Sequence, residues 1–339
     1  MTARVVIEAP ARLHFGMLDL SGTLGRRFGG IGAAVPAPSL ELSAWAAPTL
    51  TADGPPSVVD RALGFARRFV EHYGLAGGAH FRIDRTIPAH HGLGSGTQLA
   101  LSVARALAEI YGMDTDVQSL AAAVGRARRS AIGTWTFAHG GFVLEGGRPS
   151  GAGASPERPA PLLARLAIPA EWRCVVVVPR SDPGVSGDAE VAAFAQLPAP
   201  AVREAEHVAH LVLMALLPAL AESDLPAFGA ALTEVQRVTG GWFAPAQGGT
   251  FARGPGERLI AEMQAWGAAG VGQSSWGPAV YGIVGDPDAG AALAARVRRA
   301  VGDDGDVYES PFSQTGARVW IEDDDPSLVH LSRTGGRGE

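Results

Sequence analysis

Apolar and polar residues alternate through Phe81-Arg82-Ile83-Asp84-Arg85-Thr86-Ile87, which predicts a half-buried strand. Soon after it, Leu99, Ala100, Val103, Ala104, Leu107, Ala108 and Tyr111 recur at three- and four-residue steps, which predicts a helix. Between them lies Pro88-Ala89-His90-His91-Gly92-Leu93-Gly94-Ser95-Gly96-Thr97-Gln98, a glycine-rich turn from strand to helix. The same reading gives strands over 4–8 and 40–45, a buried apolar strand over 172–179, and strands near Val307 and over 318–321. Residues 9–35 read as a hairpin with a long glycine-rich tip. Helices are expected over 58–73, 117–125, 187–196, 202–217, 225–239, 255–269 and 289–301, with Pro218 ending the fourth of these.

Residues 148–161 are rich in Gly, Pro, Ala and Ser and read as a linker, so the expected division is 1–155, 156–330 and a disordered tail at 331–339. A chain of 339 residues can bury a large core in two domains. Hydrophobic residues make up 47% and the net charge is −6, which suits a globular protein and argues against a basic nucleic-acid surface. The single cysteine, Cys174, excludes an intrachain disulfide and falls in an apolar strand, where it reads as a small buried hydrophobe. The start has no signal-peptide pattern, and no apolar run is read as membrane-spanning. A cytoplasmic enzyme without a nucleic-acid or membrane partner is therefore expected.

The turn carries the candidate chemistry. Glycines allow a tight turn and close approach to a ligand, and the N-terminus of a helix attracts an anion, so a phosphate or pyrophosphate is the natural guest. The alternative is a plain strand–helix turn with Ser95 or Thr97 as a cap. No Lys-Ser/Thr pair follows the last glycine, and Gly92-x-Gly94-x-Gly96 is not the dinucleotide spacing. In the first hairpin, Arg26 and Arg27 are able to grip a phosphate or carboxylate as forked donors. Asp19 suits ribose hydroxyls, a metal or the orientation of an arginine. Equally, the arginines suit a solvated loop, Asp19 a turn, and His14 a structural role. Adjacent His90 and His91 point opposite ways on extended chain, so a shared metal is not expected.

The turn resembles the Pro-x-x-x-Gly-Leu-x-Ser-Ser-Ala signature of the GHMP kinase superfamily, with Gly96 where those kinases carry a second serine. Many of them also carry Ser-Gly-x-Asp, whose aspartate is the proposed base; here the stretch is Ser130-Ala131-Ile132-Gly133. An absent side chain takes no proton, so the phosphate cradle is kept while kinase features are missing. The run 270–284, with Gln273-Ser274-Ser275-Trp276, stands where the third superfamily motif closes over the nucleotide. Further stretches are Ala11-Arg12-Leu13-His14-Phe15-Gly16, the Arg26-Arg27 hairpin tip, Gly140-Gly141-Phe142 and Phe243-Ala244-Pro245-Ala246-Gln247-Gly248-Gly249. Together, over residues 4–322, they look like the β-ribofuranosylaminobenzene 5′-phosphate synthase family, a non-kinase branch of the superfamily.

The resemblance implies an α+β, two-domain GHMP-kinase-like fold. Its N-terminal domain would be ribosomal-protein-S5-domain-2-like and its C-terminal domain a ferredoxin-like α/β sandwich. It implies a pentosyltransferase that condenses phosphoribosyl pyrophosphate with 4-aminobenzoate to a C-riboside, releasing pyrophosphate and carbon dioxide, on the route to tetrahydromethanopterin. It also implies Mg2+ and a homodimer. The assignments that follow place the pyrophosphate or 5′-phosphate on the loop His91, Gly92, Leu93, Gly94, Ser95, Gly96, Thr97 and Gln98. Arg26, supported by Arg27, would contact a phosphate or the benzoate carboxylate, and Asp19 would hold Mg2+ or ribose hydroxyls. His14 ranks below Asp19 and Arg26, while Gln247, Gly248, Ser274 and Ser275 would line the opposite side. An ATP-dependent small-molecule kinase and a non-catalytic phosphometabolite-binding protein are the alternatives.

Overall fold

Strands β1 (Arg4–Asp19) and β2 (Arg26–Ala47) form an antiparallel hairpin far longer than the local alternation predicts. Val5, Ile7, Ala9, Ala11, Leu13 and Phe15 enter the core at alternate positions of β1, as a pleated strand requires. The β1–β2 register shifts between Pro10 and Ala11 and again between His14 and Gly16. The structure is a computed structural model in which residues 3–150, 158–180, 192, 194 and 196–322 are described. The tail expected at 331–339 lies outside the described residues, as do parts of the expected linker and of the helix over 187–196.

The remaining elements are β3 (Thr51–Asp53), α1 (Pro56–Tyr73), β4 (Gly78–Arg85), α2 (Ser95–Ile110), α3 (Val117–Ala123), α4 (Ile132–His139), β5 (Phe142–Glu145), β6 (Arg148–Pro149), β7 (Leu162–Leu166) and β8 (Arg173–Pro179). Then come α5 (Val202–Leu211), a π-turn at Val212–Leu216, α6 (Leu217–Ala221), α7 (Leu225–Gln247), α8 (Pro255–Ala265), β9 (Gly270–Gln273), β10 (Val280–Val284), α9 (Pro287–Val301), β11 (Gly305–Pro311) and β12 (Arg318–Glu322). The larger sheet runs β12-β1-β2-β4-β3, with β5 and β6 also on β2 and β7 on β5. The smaller sheet runs β11-β8-β10-β9, all antiparallel. In chain order that is 4-1-3-2, the ferredoxin-like arrangement.

Three differences from the sequence reading bear on the site. Strand β12 pairs with β1 and β7 with β5, so the larger sheet takes strands from beyond the linker. Helix α7 runs on to Gln247, through the glycine-rich stretch at 240–247. Trp242 anchors that continuation by its burial, and a Cβ on Gly240 would collide with the Thr250 carbonyl, so the glycine admits the returning chain. Val202–Ala221 has the length and apolarity to cross a membrane, with mean hydropathy 1.3 over its most apolar window. Here Val208, Val212, Leu216, Ala219 and Leu220 are buried in the core, while Met214 is 67% and Leu213 56% exposed.

Candidate active site

The glycine-rich loop is clamped between the two sheets. Gly92 has φ +80°, and a Cβ there would strike the Ser274 carbonyl oxygen. The Gly92 carbonyl accepts from Ser274 Oγ at 2.6 Å and from Arg12 Nη1. Ser274 Oγ in turn accepts from the His14 amide at 3.0 Å, the Arg12 amide donates to Leu93 O at 3.1 Å, and the Ala279 amide to His91 O at 3.2 Å. Gly94, with φ +76°, opens α2, and no side chain caps the helix. The capping alternative for Ser95 and Thr97 is therefore not what the structure shows. The amides of Thr97 and Gln98 fold back onto Gly94 O at 2.9 and 3.0 Å, and Ser95 and Gly96 border a cavity of about 680 Å³.

Six arginines border the same cavity: Arg12, Arg61, Arg68, Arg126, Arg128 and Arg129. No carboxylate is among its described lining residues. Arg126 Nη2 donates to Thr97 Oγ1 at 3.0 Å, which fixes that guanidinium beside the loop. A Cβ on Gly96 would lie 2.9 Å from Arg61 Nη2 and 3.4 Å from Arg126 Nη2, so the bare backbone leaves room for both. Forked guanidinium groups around a helix N-terminus form a receptor for a polyphosphate.

Aromatic rings form another part of the wall. Phe194, Phe243 and Trp276 meet edge to face, with centroids 5.7 Å (Phe194–Phe243), 5.3 Å (Phe194–Trp276) and 4.8 Å (Phe243–Trp276) apart. Arg129 lies over Phe194 at 5.0 Å, a cation–π contact that puts a positive charge beside the apolar faces. A flat anionic arene matches that pairing.

A line of ionisable groups leads from the cavity into the protein. His14 sits at the second β1–β2 register shift, a place where bulges re-aim side chains. The residue borders the cavity, and its Nε2 lies 3.2 Å from Ser130 Oγ. Burial, and then the charge of Arg12, pushes His14 down to about 3, so it stands neutral near pH 7. Beyond Ser130 lies Glu145, fully buried on β5, whose Oε2 accepts the Ala131 amide at 2.9 Å while Oε1 has no hydrogen-bond partner. Burial pushes Glu145 up to about 7, against the pull of the Ala131 amide, the Ser130 hydroxyl, Arg148 and Arg12.

The structure brings together only part of the expected site. His14, Gly92, Gly94, Ser95, Gly96, Thr97, Gln247 and Ser275 line the cavity. Ser274 serves the clamp, and Gln98 is buried with Nε2 donating to Gly133 O at 3.0 Å. Leu93 is core, His91 Nδ1 lies 2.7 Å from Ala89 O, and Gly248 ends α7 with φ +87°. Asp19, Arg26 and Arg27 do not border the cavity. Asp19 Oδ1 accepts from the Ser21 amide and hydroxyl, both at 2.6 Å, and from the Gly22 amide at 3.2 Å, a turn arrangement. Arg26 donates to Gly146 O at 2.9 Å and Gly147 O at 2.8 Å, and Arg27 to Leu20 O at 3.1 Å. Among the described residues no three His, Cys, Asp or Glu side chains come together as a ready metal cluster.

The arginines, the aromatic trio and Glu145 were missed. Arg61 and Arg68 stand seven residues apart on α1, two turns along one face, and Arg126, Arg128 and Arg129 crowd the approach to Ser130; those spacings were the available signal.

A β-ribofuranosylphenol 5′-phosphate synthase from Methanothermobacter thermautotrophicus is 35% identical over 305 residues, 84% of this chain and 89% of the relative. The chain belongs to the β-ribofuranosylphenol 5′-phosphate synthase family. A second synthase, from Archaeoglobus fulgidus, is 34% identical over 84% of this chain and 88% of its own. The fold of this chain is that of the GHMP kinases. Residues 60–141 match the description GHMP kinases N terminal domain, and 216–304 match GHMP kinases C terminal. A homoserine kinase from Cytophaga hutchinsonii superimposes with TM-score 0.65 at 18% identity, covering 94% of this chain and 97% of its own. A mevalonate diphosphate decarboxylase from Staphylococcus aureus gives 0.66 at 13%, covering 94% and 98%. The expected two-domain α+β architecture is thus the observed one.

Proposed function

We propose that this chain transfers the 5-phosphoribosyl group of phosphoribosyl pyrophosphate to the carboxyl-bearing carbon of a para-substituted benzoate, releasing pyrophosphate and carbon dioxide. The observation that carries the reading is the sharing of one cavity by six arginines and an aromatic trio. The relatives' names specify a phenol product, which 4-hydroxybenzoate would give; 4-aminobenzoate, implied by the sequence resemblance, differs only in the para atom. We take the hydroxy acid as the acceptor and the amino acid as its close analogue.

Departure of pyrophosphate builds negative charge beside the loop amides and the guanidinium groups, where it is stabilised as it develops. The arene, held against Phe194, Phe243 and Trp276 with its carboxylate toward Arg129, attacks the anomeric carbon from the opposite face. Loss of carbon dioxide restores aromaticity, and no protein nucleophile is needed. Any Mg2+ would enter on the donor's pyrophosphate oxygens, as hard cations commonly do. A homodimer, a cytoplasmic location and a product destined for tetrahydromethanopterin belong to the same proposal. The exposed Leu213 and Met214 supply apolar surface that a dimer would cover.

Two features weigh against the kinase alternative. Arg61 and Arg126 crowd the position of the kinase serine at Gly96. At Gly133, a Cβ would meet Thr97 Cγ2 at 3.1 Å, so an aspartate there would have to displace Thr97. Mass spectrometry of the protein with magnesium, phosphoribosyl pyrophosphate and either acceptor tests the reading. A decarboxylated riboside phosphate formed without ATP supports it; consumption of ATP alone overturns it.

A further inference from the structure

We infer that His14 is the acid–base group that removes and returns the proton of the acceptor's para hydroxyl, and that Glu145, acting through Ser130, is the positioning residue that stores that proton during the reaction. The inference rests on the phosphoribosyl-transfer reading. Neither group binds the donor in that reading, and a base matters because a phenolate is a far stronger carbon nucleophile than a phenol.

The geometry supplies the parts of a route: His14 on Ser130, and Glu145 on the amide of the next residue, Ala131. His14 borders the cavity, its Nδ1 takes no hydrogen bond from any described residue, and its Nε2 faces Ser130 Oγ at 3.2 Å. Ser130 Oγ also accepts the Ile132 amide at 3.3 Å, and the Ser130 hydroxyl is among the groups that favour the charged form of Glu145. Glu145 is fully buried, and Oε1 lacks a partner. A buried carboxylate oxygen without a partner is costly, and a group of this kind calls for an explanation such as a part in catalysis. The charged groups around the relay are Arg12 on β1 and Arg148 on β6, with Arg128 beside Arg148.

The acceptor's O–H bond breaks and its proton goes to His14 Nδ1, while the electron pair feeds the ring carbon that bonds to the anomeric carbon. The pyrophosphate leaves with the electron pair of the broken C–O bond. The Nε2 proton passes to Ser130 Oγ as the hydroxyl's own proton passes to the Glu145 carboxylate. Loss of carbon dioxide returns the carbon–carbon pair to the ring, and the phenolate recovers a proton by the reverse route. His14 cannot keep the charge, because an imidazolium there would be a buried cation beside Arg12. Glu145 can accept it, because burial has raised its proton affinity toward neutrality.

The test uses Glu145→Gln in the full chain, assayed with 4-hydroxybenzoate and with 3,5-difluoro-4-hydroxybenzoate, whose hydroxyl ionises more readily. The expected result is at least a tenfold loss of kcat with the first acceptor, without a matching rise in KM for phosphoribosyl pyrophosphate, and a much smaller loss with the second. The rise of wild-type kcat as pH passes about 7 should also disappear in the variant. Equal losses with both acceptors, or a change confined to donor KM, would overturn the relay. Should the variant fail to fold, Ser130→Ala cuts the route while leaving Glu145 in place, and the same outcomes apply. If the wild type forms no riboside from either acceptor, the transfer reading itself fails; if it does and the losses are parallel, only the relay fails.

Discussion

Arg61 occupies the space that a side chain at position 96 would need, its Nη2 lying 2.9 Å from where a Cβ on Gly96 would sit. The crowding atom is the far end of a flexible side chain, so Gly96→Ser should fold. It should do so by turning Arg61 away from the loop. The expected effect is about a tenfold rise in KM for phosphoribosyl pyrophosphate, equivalent to about 1.4 kcal/mol, with the unfolding midpoint within a few degrees of wild type. An unchanged KM would remove Arg61 from the donor site.

Gly92→Ala should behave in the opposite way. A left-handed φ of +80° and the Ser274 carbonyl both oppose a side chain, and here the obstacle is backbone. Strain of this kind costs on the order of 1–3 kcal/mol, so urea unfolding should show the loss directly, with Ser274 no longer clamping the loop. Wild-type stability in this variant would refute the clamp.

Arg26→Ala and Arg61→Ala separate two roles. Arg26 holds the Gly146 and Gly147 carbonyls, immediately beyond Glu145, and does not border the cavity. Its loss should lower kcat and stability with little change in donor KM, whereas loss of Arg61 should raise donor KM at nearly constant stability. Steady-state kinetics beside thermal unfolding decides between them. A donor KM that rose chiefly in Arg26→Ala would place Arg26 on the substrate instead.

His14 and Glu145 give the pH dependence of stability opposite slopes. His14, lowered from 6.5 to about 3, contributes stability above 6.5 that is lost as pH falls toward 3. Glu145, raised from 4.5 to about 7, contributes stability below 4.5 that is lost as pH rises toward 7. Between about 4.5 and 6.5 the two effects cancel, each near 1.4 kcal/mol per pH unit at full slope. Glu145→Gln removes one of them, so its stability should fall on acidification from pH 6.5, where the wild type's stays level. Urea titrations at pH 4.5, 5.5 and 6.5 check this; parallel curves would show that the buried pair does not set the profile.

Much of the loop was legible because its conformation is written in residue type. Gly92 and Gly94 are glycine where φ is +80° and +76°, and the three-four spacing of Leu99, Val103 and Leu107 points one face of α2 inward. Arg68 gave no signal of its own, because an amphipathic helix shows a polar face whether it meets bulk solvent or borders a cavity. Glu145 gave no signal at all: its burial depends on β2, far back in the chain, and on β7 and Ser130, which no local pattern ties to it. Asp19 and Arg26 looked chemical but satisfy backbone groups, a distinction that only the folded turn makes visible.

Because β7 and β12 complete the larger sheet from beyond residue 158, the two domains are stitched rather than strung. A cut in the chain near residue 155 would not release an intact half. It would strip both added strands from the first sheet and leave the backbone edges of β1 and β5 bare. Chimaeras that exchange the second domain between relatives would therefore import borders of the first, and such recombinants should succeed only where those borders match.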